Sequence, residues 1–336
     1  MPRSKRKPSW SKLLLSSMTA IPRRAAVPNE MDTAAFANGP QRPDLDKSDP
    51  RTELVNGVRA ALMALPGEFE FEHTVGGVAA TDLFSLNTFL GAGIELEVVR
   101  TLNALRPIWD PDSDWATYRF ERSGQSFPDV RLVDQSAKSD LPIALGIELK
   151  GWWMLSKEGV PSLRYVVSAD ACAPHDLVCV VPWYLDSAVS GKPQVAEPWV
   201  ESAKFAAEWR DYWWTDVRQA KSDTTLVHPV GAKPYPTKAD QVSVHPVSDG
   251  GGNFGRLPRS RPLMDDFIGK TMEVPILGIT TEAWVDFLSL HKDGAAADEV
   301  VVAELQKRLT KRNKDIAPEQ AEQILSRLDE LRALLP

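Results

Sequence analysis

The feature that most constrains the fold is a series of short apolar runs between Tyr118 and Leu185. Glycine, proline, serine and aspartate separate these runs, and such residues are typical of turns. The runs have the length and composition of β-strands. In chain order they read TYRFER, DVRLV, IALGIELKGWW, LRYVV and DLVCVVPWYL. This part of the chain therefore predicts the sheet of the fold.

Segments with helical periodicity precede and follow the predicted sheet. Apolar residues at helical spacing predict a first helix from about Asp49 to Pro66-Gly67 and a second from about Ser85 to Leu105. A tryptophan-rich third helix is predicted from about Pro198 to Lys221, because its apolar residues form one wide face. Together these elements predict an α/β (α+β) fold, with a central mixed sheet flanked by helices.

The remaining segments differ in composition from this core, which spans residues 51–225. Residues 1–50 are rich in Pro, Ser, Arg and Asp without apolar periodicity, which predicts a flexible arm. Residues 226–290 are rich in Pro and Gly and predict a long structured excursion. Residues 291–336 predict a helical tail, in which Pro318 can open the last helix.

The composition of the chain limits the classes of protein to which it can belong. A chain of 336 residues with 43% hydrophobic content can bury a sizeable core. Its net charge of −7 argues against indiscriminate coating of nucleic acid, so any DNA contact must be local. Two cysteines cannot build a disulfide framework, and no apolar run approaches the roughly 18 residues that a membrane span needs. We expect a cytoplasmic protein that does not bind membranes.

Chemistry-bearing residues concentrate in the run IALGIELKG. Apolar side chains alternate with small or polar ones there, so a strand buries one face and presents Glu148 and Lys150 together on the other. Gly146 keeps that face shallow, as it would be if a ligand or another backbone approached closely. The preceding run begins with Asp129, and the polar connection 134–140 can turn it back antiparallel. Asp129 can then lie beside Glu148.

Two carboxylates beside a lysine suit the hydrolysis of a phosphodiester. Mg²⁺ prefers oxygen ligands, usually one or two carboxylates completed by water and phosphate. The metal activates a water, and a nearby ammonium orients that water or aids its deprotonation. Asp129 and Glu148 are therefore predicted metal ligands, and Lys150 is the third catalytic residue.

This arrangement resembles the active site of the PD-(D/E)xK nuclease superfamily. The pattern reads Pro128-Asp129 and then Glu148-Leu149-Lys150, with Glu148 nineteen positions after Asp129. The resemblance covers roughly residues 85–220 and implies a restriction-endonuclease-like core with extra helical and loop appendages. It also implies an endodeoxyribonuclease that requires Mg²⁺, with Mn²⁺ as a substitute.

The resemblance further implies a glutamate from the helix before the first strand. Glu97 is the candidate, since it stands four residues after Gly93, a pattern associated with the first helix of this superfamily. Glu95 is the competitor. The two flank the apolar stripe from opposite sides, and helical geometry alone does not choose between them.

Basic residues in the excursion are candidates for DNA contact. They are Arg256, Arg259, Arg261, Lys233 and Lys238. The three arginines follow a glycine-rich loop and could grip phosphates or bind guanine edges. A solvated basic loop is an equally good interpretation of the same residues.

The functional hypothesis is sequence-specific cleavage of double-stranded DNA, like that of type II restriction endonucleases in phage defence. Cutting of both strands implies a homodimer, and a cognate methyltransferase can belong to the same system. One alternative is a nickase, resolvase or repair nuclease that reads DNA shape or damage. The other is a DNA-binding module without catalytic activity, against which the intact set of Asp129, Glu148 and Lys150 argues.

Overall fold

The computed structural model describes residues 38–76, 86–124, 126–136, 139–156, 160–218, 223–249, 251–290 and 326. The predicted helical tail 291–336 therefore lies outside the described residues except for Ser326, and so does the arm up to residue 37. Residues 38–50 contact the core through Arg42, whose guanidinium bonds to Glu201 at 2.7 Å and lies over the Phe205 ring.

Helices precede and follow the sheet, as the periodicity predicts. In chain order the α-helices among the described residues are α1 (Arg51–Met63), α2 (Leu65–Glu68), α3 (Leu86–Ala104), α4 (Arg106–Trp109), α5 (Ala203–Tyr212), α6 (Asp265–Glu273) and α7 (Thr281–Leu290). The first two predicted helices correspond to α1 and α3, which confirms them to within a few residues.

In the part of the chain that the structure describes, the main sheet has six strands of mixed direction. They are β1 (Tyr118–Arg122), β2 (Val130–Asp134), β3 (Ile143–Trp153), β4 (Leu177–Leu185), β5 (Pro193–Val195) and β6 (Trp199–Ser202). Strands β1, β2 and β3 are antiparallel neighbours, and β4 lies parallel to β3. Strands β5 and β6 both pair antiparallel with β4. The mixed α/β fold predicted from the sequence is thus confirmed.

Short two-stranded ladders complete the described part of the chain. Strand β7 (Leu226–Val227) pairs with β8 (His245–Pro246), and β9 (Pro275–Ile276) pairs with β10 (Ile279–Thr280). Two isolated bridges, Arg164 with Arg256 and Val167 with Ser243, attach the excursion to the segment before β4. The excursion is therefore packed on the core.

Both faces of β3 and β4 are covered, because the side chains alternate between two apolar clusters. Leu145, Ile147 and Leu149 join the cluster that contains α1 and α3. Trp152, Val178 and Val180 join a second cluster with α5 and Tyr165. Strand β3 is buried on both faces from Ala144 to Glu148, so the predicted open face is wrong for most of its length. Within β3, only Ile143, Lys150 and Gly151 are partly exposed.

Two further predictions from the sequence are wrong. The run LRYVV forms isolated bridges and no strand, since residues 163–167 contact the excursion rather than the sheet. The tryptophan-rich segment begins with β6, because Trp199–Ser202 pairs with the free edge of β4. Helix α5 starts only after Ser202, whose hydroxyl accepts a hydrogen bond from Phe205 N at 3.3 Å as an N-cap.

Candidate active site

Asp129, Glu148 and Lys150 meet where β2 and β3 lie side by side. Lys150 Nζ is 2.7 Å from Glu148 Oε1 and 3.5 Å from Asp129 Oδ2. The backbone links the acids as well, because Leu149 N donates to Asp129 Oδ2 at 3.1 Å and Asp129 N donates to Glu148 Oε2 at 3.3 Å. The structure therefore brings together the three residues that the motif predicts.

The register of the strands explains this meeting. Val130 pairs with Ile147, which places the residue before Val130 opposite the residue after Ile147. Gly146 allows the approach, since a Cβ on Gly146 would lie 2.2 Å from Cγ of Pro128. The ring of Pro128 thus packs against Gly146, the position that the sequence predicts to be shallow. Asp129 is the next residue in the chain after Pro128.

Burial and charge set the protonation of Glu148. Its side chain is only 10% exposed, against 25% for Lys150 and 37% for Asp129. Burial raises the pKa of Glu148, the Lys150 ammonium lowers it and the Asp129 carboxylate raises it, and the net result is a pKa of about 7. An unperturbed glutamate has a pKa near 4.5. Ionisation of Glu148 therefore lowers the free energy of unfolding as the pH rises from 4.5 through about 7.

The lysine keeps its proton in this setting. Burial lowers the pKa of Lys150, but the charges of Glu148 and Asp129 outweigh that effect and leave the pKa above its ordinary value. The ammonium is therefore a stable hydrogen-bond donor between two carboxylates.

Helix α3 turns Glu95, and not Glu97, toward these residues. Asp129 and Lys150 both interact electrostatically with Glu95, and its pKa is raised by burial first and by Asp129 second. Glu97 instead pairs with Arg100 at 3.7 Å. The metal-ligand role predicted for Glu97 thus suits Glu95 better, because the helix directs the two side chains to different sides.

The carboxylates of Asp129 and Glu148 could serve as ligands of a Mg²⁺ ion whose other ligands are water and phosphate oxygens. Within the described residues, no three His, Cys, Asp or Glu side chains are gathered closely enough to form a complete metal site. One or two carboxylates suffice for Mg²⁺ when a phosphate supplies further oxygen ligands. Both hydrogen bonds to the Asp129 carboxylate use Oδ2, and the Asp129 side chain is 37% exposed.

Sequence analysis missed the buried carboxyl group of Asp176, which contacts Gly146 beside the candidate site. Asp176 directly precedes β4, is fully buried, and accepts hydrogen bonds from Gly146 N and Ala173 N at 2.7 Å and from the Tyr235 hydroxyl at 3.1 Å. Burial raises its pKa to about 7, although these donors lower it. A polar residue at the start of an apolar strand was the only signal in the sequence.

Arg131 also joins the excursion to the strand that carries Asp129. One terminal nitrogen of its guanidinium donates to Phe127 O at 2.7 Å and to Pro236 O at 3.0 Å. The guanidinium carbon lies 6.0 Å from the centre of the Tyr235 ring. The exposed side chains of Lys233 and Lys238 thus stand on a segment that is anchored beside the site.

The three candidate arginines differ in environment. Arg256 is half-buried and donates from Nε to Gly252 O at 3.0 Å, so it stabilises its own loop. Arg259 is exposed, and Arg261 pairs with Asp265 at 2.7 Å while remaining 56% exposed. Within the described residues, none of them makes a hydrogen bond or ion pair with the residues of the candidate site.

Comparisons with protein-family models, curated proteins and solved structures gave no match. Within the described ranges, no helix combines the length and the apolar character needed to cross a membrane.

Proposed function

We propose that this protein is a Mg²⁺-dependent endodeoxyribonuclease. The observation that carries the proposal is the convergence of Asp129, Glu148 and Lys150 on two antiparallel strands, with Lys150 Nζ within 3.5 Å of both carboxylates. One acid is more exposed and the other is buried, and the lysine remains protonated between them. Such a set suits hydrolysis of a phosphodiester better than binding alone.

Each residue has a distinct task in this proposal. Asp129 and Glu148 would hold the cation, which when bound supplies an activated water and offsets charge on the phosphate. Lys150 donates hydrogen bonds and can orient the attacking water or a phosphate oxygen. Glu148 must lose its proton from the carboxyl group before it can hold a cation, and its raised pKa places that loss near neutrality.

The arrangement of elements supports a restriction-endonuclease-like core. The order of helix, strands and helix that the resemblance implies is present from α3 through β1–β4 to α5. Among its described residues, the connection between β3 and β4 contains a 3₁₀ turn at Ala169–Ala171 and no α-helix. The connection is instead covered by the excursion, which bridges to it at Arg164 and Val167.

The resemblance to type II restriction endonucleases extends the proposal to sequence-specific cutting of double-stranded DNA in the cytoplasm. A homodimer would then cut both strands, and a cognate methyltransferase would protect host DNA in a phage-defence system. Because the net charge is −7, recognition must depend on local basic residues such as Arg259, Arg261, Lys233 and Lys238.

Cleavage of supercoiled plasmid tests the proposal. The purified protein should cut in Mg²⁺ or Mn²⁺ and be inactive in EDTA, and in Ca²⁺ it should bind DNA without cutting, because the looser coordination of Ca²⁺ aligns the phosphate poorly. Asp129→Asn, Glu148→Gln and Lys150→Ala should each abolish cutting or reduce it severely. Glu97→Gln is the matched control and should cut as the parent does.

Two outcomes would reject the proposal. Cleavage that continues at full rate in EDTA would exclude the metal from the reaction. Turnover by purified Asp129→Asn equal to that of the parent would exclude this site.

A further inference from the structure

Arg122 is a basic residue next to the candidate site that the sequence motif does not include. It is the last residue of β1 and pairs in register with Val130. The following residue, Ser123, donates its backbone N–H to Asp129 O at 2.7 Å. The backbone of Arg122 therefore lies directly beside the segment that presents Asp129.

Among the residues that the structure describes, the guanidinium of Arg122 makes one ion pair, with Glu95. Its Nη2 lies 3.3 Å from Glu95 Oε2, and the side chains are 37% and 28% exposed. A partly exposed pair with a single contact contributes little to stability. Since a guanidinium offers five N–H donors in a planar fork, most of its donors remain for another acceptor.

The charges around the site decide which cation is available to a phosphate. Glu95, Asp129 and Glu148 are three acids that would repel the DNA backbone. Two cations act on Glu95, namely Arg122 and Lys150, and Lys150 is already held at 2.7 Å by Glu148. Arg122 is thus the cation that can exchange its partner at the smallest cost.

We propose that Arg122 binds a backbone phosphate of the DNA next to the cleaved bond, and that it exchanges Glu95 for this phosphate when DNA enters. The planar fork matches two phosphate oxygens, which gives a stronger contact than the single bond to Glu95. The exchange releases the Glu95 carboxylate beside Asp129. This inference rests on the proposed nuclease function.

Binding of a short DNA duplex in Ca²⁺ at several salt concentrations tests the inference. Loss of one phosphate contact in Arg122→Ala should lower the slope of log affinity against log salt by about 0.9. Arg122→Lys should keep most of the slope, because it retains the charge. Arg119→Ala is the matched control, since Arg119 is an exposed arginine of the same strand that points to the opposite face, and its slope should equal that of the parent.

The salt dependence separates phosphate binding from a structural role of the ion pair. If Arg122 binds a phosphate, Arg122→Ala lowers the slope of log affinity against log salt and Arg122→Lys keeps most of it. If the pair merely stabilises the fold, Arg122→Ala should weaken binding by the same factor at every salt concentration, and that result would overturn the inference. Thermal unfolding of each variant shows that it is folded under the assay conditions.

The inference and the nuclease proposal fail in different ways. Arg122→Ala with the parental affinity and slope overturns the inference alone, provided that the parent cuts DNA in Mg²⁺. A parent that neither binds nor cuts DNA overturns both.

Discussion

The substitution Gly146→Ala tests whether the close approach of Pro128 positions Asp129. A Cβ at this position would lie 2.2 Å from Pro128 Cγ and 3.0 Å from Asp176 Oδ1. Ordinary contacts of a Cβ begin at 3.4 Å, so the Pro128 ring must move by about 1.2 Å, the difference between 3.4 Å and 2.2 Å. Because Asp129 is the next residue, the displacement reaches the candidate site.

The expected cost has two parts. Overpacking should lower the free energy of unfolding by about 1–3 kcal/mol, against a gain of about 0.5–1 kcal/mol from replacing glycine by alanine in a strand. A misplacement of about 1 Å at a catalytic carboxylate can reduce the cleavage rate by about 100-fold. We therefore expect a protein that is less stable and, where still folded, far less active.

Urea unfolding followed by tryptophan fluorescence measures the first effect, and plasmid cleavage well below the unfolding midpoint measures the second. Gly269→Ala is the control, since nothing lies within 4 Å of a Cβ there and the position is inside α6. That change should stabilise the protein by about 0.5–1 kcal/mol without affecting cleavage. Equal stability and equal cleavage of Gly146→Ala and the parent would refute the argument.

Three other predictions follow from the site and its surroundings. Asp176→Asn should lower the free energy of unfolding by about 1–3 kcal/mol, because an amide N–H donor would then face the backbone N–H groups of Gly146 or Ala173. Tyr235→Phe should lower it by about 1 kcal/mol, because it removes the hydrogen bond to Asp176, and urea unfolding measures both changes. The rate of cleavage at subsaturating Mg²⁺ should rise with pH through about 7, since Glu148 must ionise to hold a cation, and a flat profile there would contradict this. If Arg259 or Arg261 contacts a base, its replacement by alanine should weaken DNA binding by about 1–3 kcal/mol and relax the preference at one base, whereas loss of a phosphate contact should weaken the binding of all duplexes alike. Binding in Ca²⁺ measures both effects, and unchanged binding by both variants would mean that other residues recognise the DNA.

The sequence was most informative where strand alternation and chemistry coincide. The antiparallel pair of β2 and β3 and the meeting of Asp129 with Glu148 were predicted from a period-two pattern and the polar connection 134–140. Such a pattern fixes which side chains share a face, and a one-residue change of register would separate them. The pairing of neighbouring strands is thus a local property that the sequence reveals.

Properties that depend on distant parts of the chain were not predictable in this way. Trp199–Ser202 has helical periodicity but forms β6, because its backbone makes hydrogen bonds to the edge of β4. The periodicity of the side chains contains no information about such an edge. The choice of Glu95 over Glu97 depends on how α3 is rotated against β1 and β2. The burial of Asp176 depends on Tyr235, which lies 59 residues further along the chain.

That long-range attachment has a consequence for the order in which the molecule can be completed. A ribosome makes the chain from its amino end at about 5–20 residues per second, so the 105 residues between Arg131 and Pro236 take roughly 5–20 s to synthesise. During this time β2 and β3 can already pair, while Asp176 and Arg131 still await their partners in the excursion. A nascent chain that stops short of Tyr235 therefore carries all three residues of the motif on an unfinished support, and it should acquire the geometry of the mature protein only after the excursion has been made.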